Sequence, residues 1–245
     1  MQTRSPVKPA QSNQSIESAI ACLLELTNRS EPMGCNAMAE RLQVERTKAS
    51  RILGTLAHLG MVQRLPDLRY IPGPGIHLLS TMAFRASGLL GSALPHIRRM
   101  RETRGTTAAL GVVWRTEVGY VYHSTEGQEP TEAIGGHALF PAHLSCIGRV
   151  ILATHDDSEI RERFGDSLTA AEYATLFTSI KIIRAEGVLV EPDEIAMAIG
   201  NPAVAGIAFF RPNTNTHDKK LIAEVAAIAA DISNAVTAPT TTNQQ

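Results

Sequence analysis

The stretch that most restricts how this chain can fold runs from Asn36 to Leu59, NAMAERLQVERTKASRILGTLAHL. It reads as two short helices interrupted at Gln43 to Glu45. In the second, Ala49, Ile52, Leu53 and Leu56 recur at i, i+3, i+4 and i+7, which gathers them on one helix face that must be buried. At about 100° per residue the opposite side presents Thr47, Arg51, Gly54 and His58, with Lys48 and Ser50 on its flanks. A helix that packs by one face and offers Arg, Lys, Thr and Ser from the other, after a short helix and a tight turn, suits a helix-turn-helix reader of double-stranded DNA. An amphipathic surface helix that binds nothing has the same periodicity, so the flanking segments decide between the two.

Upstream, residues 1–14 are polar and aperiodic and are expected to form a disordered arm. Ser15 can cap a helix reaching about Asn28, with Ile16, Ala19, Ile20, Leu23 and Leu24 as its apolar stripe. Downstream, MVQRL and YIPG are short extended runs joined by a Pro-Asp turn, so a small hairpin follows the helical pair. That order describes a winged helix-turn-helix over residues 15–73, with Arg69 near the wing tip, where it can reach a phosphate or a minor groove. Pro74 can occupy the first turn of a linker helix over residues 74–90, whose Ile76, Leu79, Ala83, Ala86 and Leu90 form a narrow stripe. Such a stripe packs within the chain or against a second copy. A dimer at this place would set two reading helices one DNA turn apart.

Charge supports the same division. Through residue 72 there are nine Lys and Arg against six Asp and Glu, a net +3, while the remainder carries 14 against 18. A basic end on an acidic body fits contact with a polyanion at one end only. Three scattered cysteines, Cys22, Cys35 and Cys146, make neither a disulfide framework nor a four-ligand zinc cluster, and a reduced, cytoplasmic setting is expected. The chain carries no apolar run of membrane-spanning length and no apolar signal-peptide core near its start. No membrane partner and no cofactor is expected.

Residues 91–237 read as an α+β domain. Gly91 to Arg104 looks helical, Thr106 to Trp114 and Val118 to Thr125 form a hairpin, and Glu132 to His137 can add a strand. Helices are expected within His143 to His155, over Asp156 to Gly165, and from a Thr169 cap to a stop at Gly187. Val188 to Val190 and Ala203 to Phe210 read as strands, His217 to Val236 as a closing helix, and residues 238–245 as a frayed tail.

Taken together, the chain resembles the IclR family of bacterial transcriptional regulators from about Ser15 to Val236. Three stretches carry the resemblance: AERLQVERTKASRILGTLAHLGMVQRL for the reader, YIPGPGIHLLS for the wing end and linker, and HLSCIGRVILA, in which Arg149 replaces the family's more usual Lys. The resemblance implies a GAF-like second domain, a mixed or antiparallel sheet flanked by helices, that binds a small organic effector. It also implies a homodimer, or a tetramer of paired dimers, on a roughly palindromic operator. Under it, Arg51 and Lys48 read bases or phosphates with help from Thr47 and Ser50, while Arg41, Arg46 and Arg69 hold phosphates.

Carried over by position, the effector pocket includes Ser145, Cys146 and Ile147 at a helix start, where N–H groups favour an anion such as a carboxylate. Glu191 and Asp193 fall in the family's acidic turn, and Asn201, Ala208 and Phe210 fall where relatives often carry Cys, Ser and Ser. The chain departs from the pattern here, because AMAIGNPAVAGIAFFRP has a shortened hairpin and no serines. Loss of hydroxyls and gain of a ring favour a less polar or aromatic effector.

Two rival readings use some of the same residues. His137, His143 and Cys146 could form part of a zinc-binding sensor, although the spacing is irregular and a fourth ligand is missing. Ser145 with His123 or His143 and Asp193 could serve a small-molecule hydrolase, although the chain has no Gly-x-Ser-x-Gly elbow.

Overall fold

The computed structural model describes residues 12–128, 132–134, 139–210 and 216–237. The chain forms two compact units that divide between Ala86 and Ser87.

The first unit contains α1 (Gln14–Thr27), α2 (Cys35–Leu42), α3 (Arg46–His58), the hairpin β1 (Val62–Arg64) and β2 (Tyr70–Pro72), and α4 (Pro74–Ser87). The break between α2 and α3 is a left-handed residue, Gln43 at φ 52°, which reverses the chain after one tight turn. Ala49, Ile52, Leu53 and Leu56 are buried as their spacing requires. Ile52, Leu53 and Leu56 meet Cys22, Leu26, Met38, Val62 and Tyr70 in one small core. The packed face of α1 is turned roughly a quarter of a revolution from the expected stripe. Cys22 and Leu26 are buried, whereas Ile16 and Ile20 are 58% and 44% exposed. The cap is Asn13 rather than Ser15, and its Oδ1 accepts from the Ser15 and Ile16 N–H groups. On its other edge β2 gains a pairing that the sequence reading missed, in which Met33 and Tyr70 exchange backbone hydrogen bonds of 3.0 and 2.8 Å.

The helix expected through residue 90 stops at Ser87, because Gly88 takes a left-handed conformation at φ 62° and caps a new helix, α5 (Leu89–Arg104). Leu90 therefore packs with α5 in the second unit instead of extending the linker stripe. Within the described chain α4 buries none of its residues, and Leu78, Leu79 and Met82 are all exposed.

The second unit continues with β3 (Thr107–Trp114), β4 (Glu117–His123), β5 (Phe140–Pro141), α6 (Cys146–Leu152), α7 (Asp157–Phe164), α8 (Ala170–Glu186), β6 (Leu189–Glu191), β7 (Glu194–Gly200), β8 (Ala203–Phe210) and α9 (Lys219–Thr237). Its six strands run in the order β5-β4-β3-β8-β7-β6, and every neighbouring pair is antiparallel. Alternation along the strands gives each face its own core. On one side Leu110, Ile195, Ile207 and Phe209 pack against Ile97 and Met100 of α5 and Val225, Ile228 and Ile232 of α9. On the other, Ala109, Ala196 and Ala208 lie under Ile147, Val150 and Ile151 of α6, with Leu176 and Ile180 of α8 in the same core. The sheet is thus covered on both faces.

Several boundaries differ from the sequence reading. β7 and the two-residue β5 were not picked out. Of the strand expected over Glu132 to His137, Ile134 makes one antiparallel bridge to Tyr122, and residues 135–138 lie outside the described residues. α6 begins at Cys146, within the expected stretch, because Ser145 caps it, its Oγ accepting from Gly148 N–H at 3.3 Å. The arm at residues 1–11 and the tail at 238–245 also lie outside the described residues. Among the described residues no helix is long and apolar enough to cross a membrane.

Candidate nucleic-acid interface and effector site

In the first unit the exposed side of α3 is a ridge between two grooves. One groove, about 510 Å3, is lined by Asn36 at the start of α2, by Arg46, Thr47 and Ser50 of α3, and by Arg64, Asp67 and Arg69 of the wing. The other, about 580 Å3, runs between α1 and α3 and is lined by Ser15, Glu45, Thr47, Lys48, Arg51 and Thr55 over a floor of Ala19, Ile52 and Leu56. Thr47 borders both and so marks the crest. A ridge with cations on each flank has the form needed to enter a major groove while the flanks meet phosphates.

Six of the seven candidate DNA contacts therefore gather along α3 and the wing. Arg41 does not join them and lies 3.9 Å from Glu25. Arg69 is engaged by Asp67, with Nη2 to Oδ2 at 2.7 Å, and the guanidinium holds that carboxyl below the usual range. Arg64 and Asn36 were missed by the sequence reading. Pairing of Arg64 with Tyr70 places the guanidinium 5.9 Å from the tyrosine ring at the wing tip. The cue was the short wing itself, in which both cations flank one turn.

In the second unit Ser145, Cys146 and Ile147 form the start of α6, and Arg149 on the same helix reaches Glu191. Ser145 is buried, and its Oγ lies 3.2 Å from the Tyr120 hydroxyl. Cys146 is buried, within hydrogen-bonding reach of Glu194, and burial pushes its thiol well above the ordinary value. Ile147 points into the sheet, where its Cγ2 fills the space that side chains at Gly111 and Gly206 would need. Gly148 permits this docking: a Cβ there would fall 2.6 Å from the Ala142 backbone and closer still to its carbonyl oxygen.

Electrostatics centre on Arg149. Its Nη1 donates to Glu191 Oε1 at 2.5 Å, and its Nη2 lies 3.7 Å from Glu194 Oε1. The arginine holds the Glu191 carboxyl below its usual range. Glu194 moves the other way, to about 7, chiefly through burial and then through the neighbouring Glu191. Asp193, singled out from the sequence, sits exposed at the turn between β6 and β7, and the inward acid is Glu194. Ala208 is fully buried between Ala109 and Ala196 on the neighbouring strands. Phe210 pairs with Glu194 across β7, and its ring lies 6.2 Å from that of His123, which in turn lies 5.1 Å from Tyr120. Asn201 is exposed at the β7–β8 turn, at the far end of the hairpin from Phe210, so it does not join this cluster. Tyr120 and Glu194 were not singled out. The cues were the alternation of β4, which aligns Tyr120 with Val118, and the register that sets Glu194 opposite Glu191.

The residues of the rival readings are placed differently. His143 packs edge-on against Phe164 at 5.8 Å, with Nε2 4.0 Å from Glu172, and His137 lies outside the described residues. Among the described residues no three His, Cys, Asp or Glu side chains are grouped to hold a metal. Ser145 is hydrogen-bonded to Tyr120 and Gly148.

Comparison with known proteins matches residues 15–66 to the IclR helix-turn-helix domain and residues 82–234 to the bacterial transcriptional regulator IclR C-terminal domain. Among curated proteins, the HTH-type transcriptional regulator BhcR of Paracoccus denitrificans is 28% identical over 231 residues, spanning 84% of this chain and 80% of BhcR. Among solved structures, an IclR-type regulator from Silicibacter aligns with a TM-score of 0.78 at 16% identity, covering 92% of this chain and 97% of that one. An IclR homologue from Microbacterium hydrocarbonoxydans, complexed with 4-hydroxybenzoate, aligns with a TM-score of 0.66 at 18% identity, covering 90% and 98%. The two domain matches together take in most of the chain, and it belongs to the IclR family of bacterial transcriptional regulators.

Proposed function

We propose that this protein is a ligand-responsive regulator that binds a palindromic operator through its winged helix-turn-helix and senses a small organic metabolite in its second unit, in the cytoplasm. The observation that carries the reading is the α3 ridge, exposed between two grooves that hold Arg46, Arg64 and Arg69 on one side and Lys48 and Arg51 on the other. Arg51 reads guanine O6 and N7, and Lys48, Thr47 and Ser50 assist. Arg46, Arg64 and Arg69 neutralise phosphates.

The working form is a homodimer, or a tetramer of paired dimers. Support comes from α4, whose Leu78, Leu79 and Met82 have no partner surface within the described chain. The effector is a small aromatic or carboxylate-bearing molecule. The rings of Tyr120, His123 and Phe210 support the aromatic part, and the Ser145 and Tyr120 hydroxyls supply polar anchors beside them. Its binding acts on DNA affinity by favouring one arrangement or oligomeric state of the dimers over another.

A mobility-shift titration on the DNA upstream of the protein's own gene tests the assignment. Arg51→Ala is expected to lower affinity for the operator about five- to hundred-fold more than it lowers affinity for random duplex. An unaltered operator preference in that variant would sink it.

A further inference from the structure

Glu45 is the residue at the reading edge that this assignment leaves without a role. It occupies the N-cap position of α3, where Ser, Thr, Asp and Asn are favoured, and its side chain makes no capping hydrogen bond. It is exposed and lines the α1–α3 groove beside Lys48 and Arg51. Asp67, the acid of the opposite groove, is tied to Arg69 at 2.7 Å. Glu45 has no ion pair among the described residues. A free carboxylate on a surface that approaches phosphates lowers affinity for every duplex alike. It is useful there only if it discriminates.

An ionised carboxylate only accepts hydrogen bonds. In the major groove the donors are cytosine N4 and adenine N6, and the adenine donor stands next to the N7 acceptor, which repels a carboxylate. Cytosine has no such neighbour on its own ring. Its partner guanine offers O6 and N7 to a cation, and Lys48 and Arg51 stand in the same groove as Glu45. One acid and one base, side by side, therefore match the two halves of a G·C pair.

We propose that Glu45 determines operator specificity by accepting a hydrogen bond from the N4 amino group of a cytosine in each half-site, beside a cation that donates to guanine. The proposal rests on the reading of α3 as the DNA-reading helix. It is tested with the full chain by selecting from a randomised duplex pool with wild type, Glu45→Ala and Glu45→Gln, and by titrating each protein on the selected and on a random duplex.

Wild type should select a G·C pair at one symmetric position. Glu45→Ala should lose about five- to hundred-fold discrimination there, keep it elsewhere, and bind random duplex more tightly. Glu45→Gln should shift the preference toward adenine, whose N6 and N7 an amide can engage together. If the carboxylate serves only the α3 dipole, both variants will keep every base preference and change only the unfolding midpoint, which overturns the proposal. If wild type itself selects no sequence, the DNA-reading assignment falls and takes the proposal with it.

Discussion

Gly148→Ala should destabilise the second unit even though it replaces glycine by alanine inside a helix. An ideal Cβ at residue 148 would lie 2.6 Å from both the Cα and the carbonyl carbon of Ala142. Ordinary carbon contacts are about 3.5–4.0 Å, so α6 or the loop before it must move by roughly 1 Å. Neither is free to do so. Ala142 N–H donates to Thr116 O at 2.9 Å, Ser145 N–H to Pro141 O at 3.1 Å, and Gly148 N–H to the Ser145 cap. Overpacking of this kind costs about 1–3 kcal/mol or more, against a gain of about 1 kcal/mol from helix propensity. With backbone atoms this close the cost sits at the top of that range, so the expected net loss is about 2 kcal/mol, or a fall of about 4–8 °C in Tm for a unit of this size. Trp114, the only tryptophan, lies on β3 of the same unit, so its fluorescence in a urea titration reports this unfolding. Ser145, Cys146 and Arg149 ride on α6, so the variant should also lose its effector response while still binding operator. A variant as stable as wild type would refute the account of how α6 is seated.

Arg69→Ala should weaken binding to all duplexes alike and reduce the slope of log affinity against log salt by about 1, measured by fluorescence anisotropy. A loss confined to one operator position would contradict its assignment to phosphate. Glu194→Gln should change how stability depends on pH. In the fold Glu194 holds its proton up to about 7 instead of its ordinary 4.5, so the native state binds more protons than the unfolded chain between those values. Wild-type stability therefore declines as pH rises through that window. Glu191, shifted downward by Arg149, acts below it: its contribution is present above its ordinary value and fades as pH falls further. Glu194→Gln should flatten the decline between about pH 5 and 7 in Trp114-monitored unfolding. Equal slopes in the two proteins would refute it.

What could be read from the sequence follows from where the information lies. The α2–α3 pair was legible because Ala49, Ile52, Leu53 and Leu56 repeat every turn, and one face of α3 does meet the core. The face of α1 was misjudged because Ile16 and Ile20 outweigh Cys22 and Leu26 in any count of apolar residues, while packing is decided by which side meets Met38 and Tyr70. β7, Glu-Ile-Ala-Met-Ala-Ile-Gly, is covered on both faces, so it has no polar alternation to betray it, and its alanines suit a helix as well as a strand. The inward turn of Glu194, and the outward turn of Asp193, depend on the register of a tight hairpin. A shift of one residue would exchange them.

The sheet surface beneath α6 shows how the helix is seated. Gly111 and Gly206 stand opposite each other on β3 and β8, and Ile147 fills the space that side chains there would take. That row fixes the height of α6 above the sheet. Ala109, Ala208 and Ala196 form a parallel row across three strands, nearer the end where Glu194 and Phe210 pair. With methyl groups in this row and the aromatic rings at its edge, the surface is apolar. Its polar groups, Ser145, Tyr120, Arg149 and Glu194, stand around it rather than in it. A bulkier residue at Gly206 acts on the seating of α6 and hence on the fold, and a larger side chain at Ala208, fully buried in the same core, bears on that packing as well. On the function proposed above, the absence of serines in this strand favours a less polar effector, on a scaffold whose geometry the glycine row maintains.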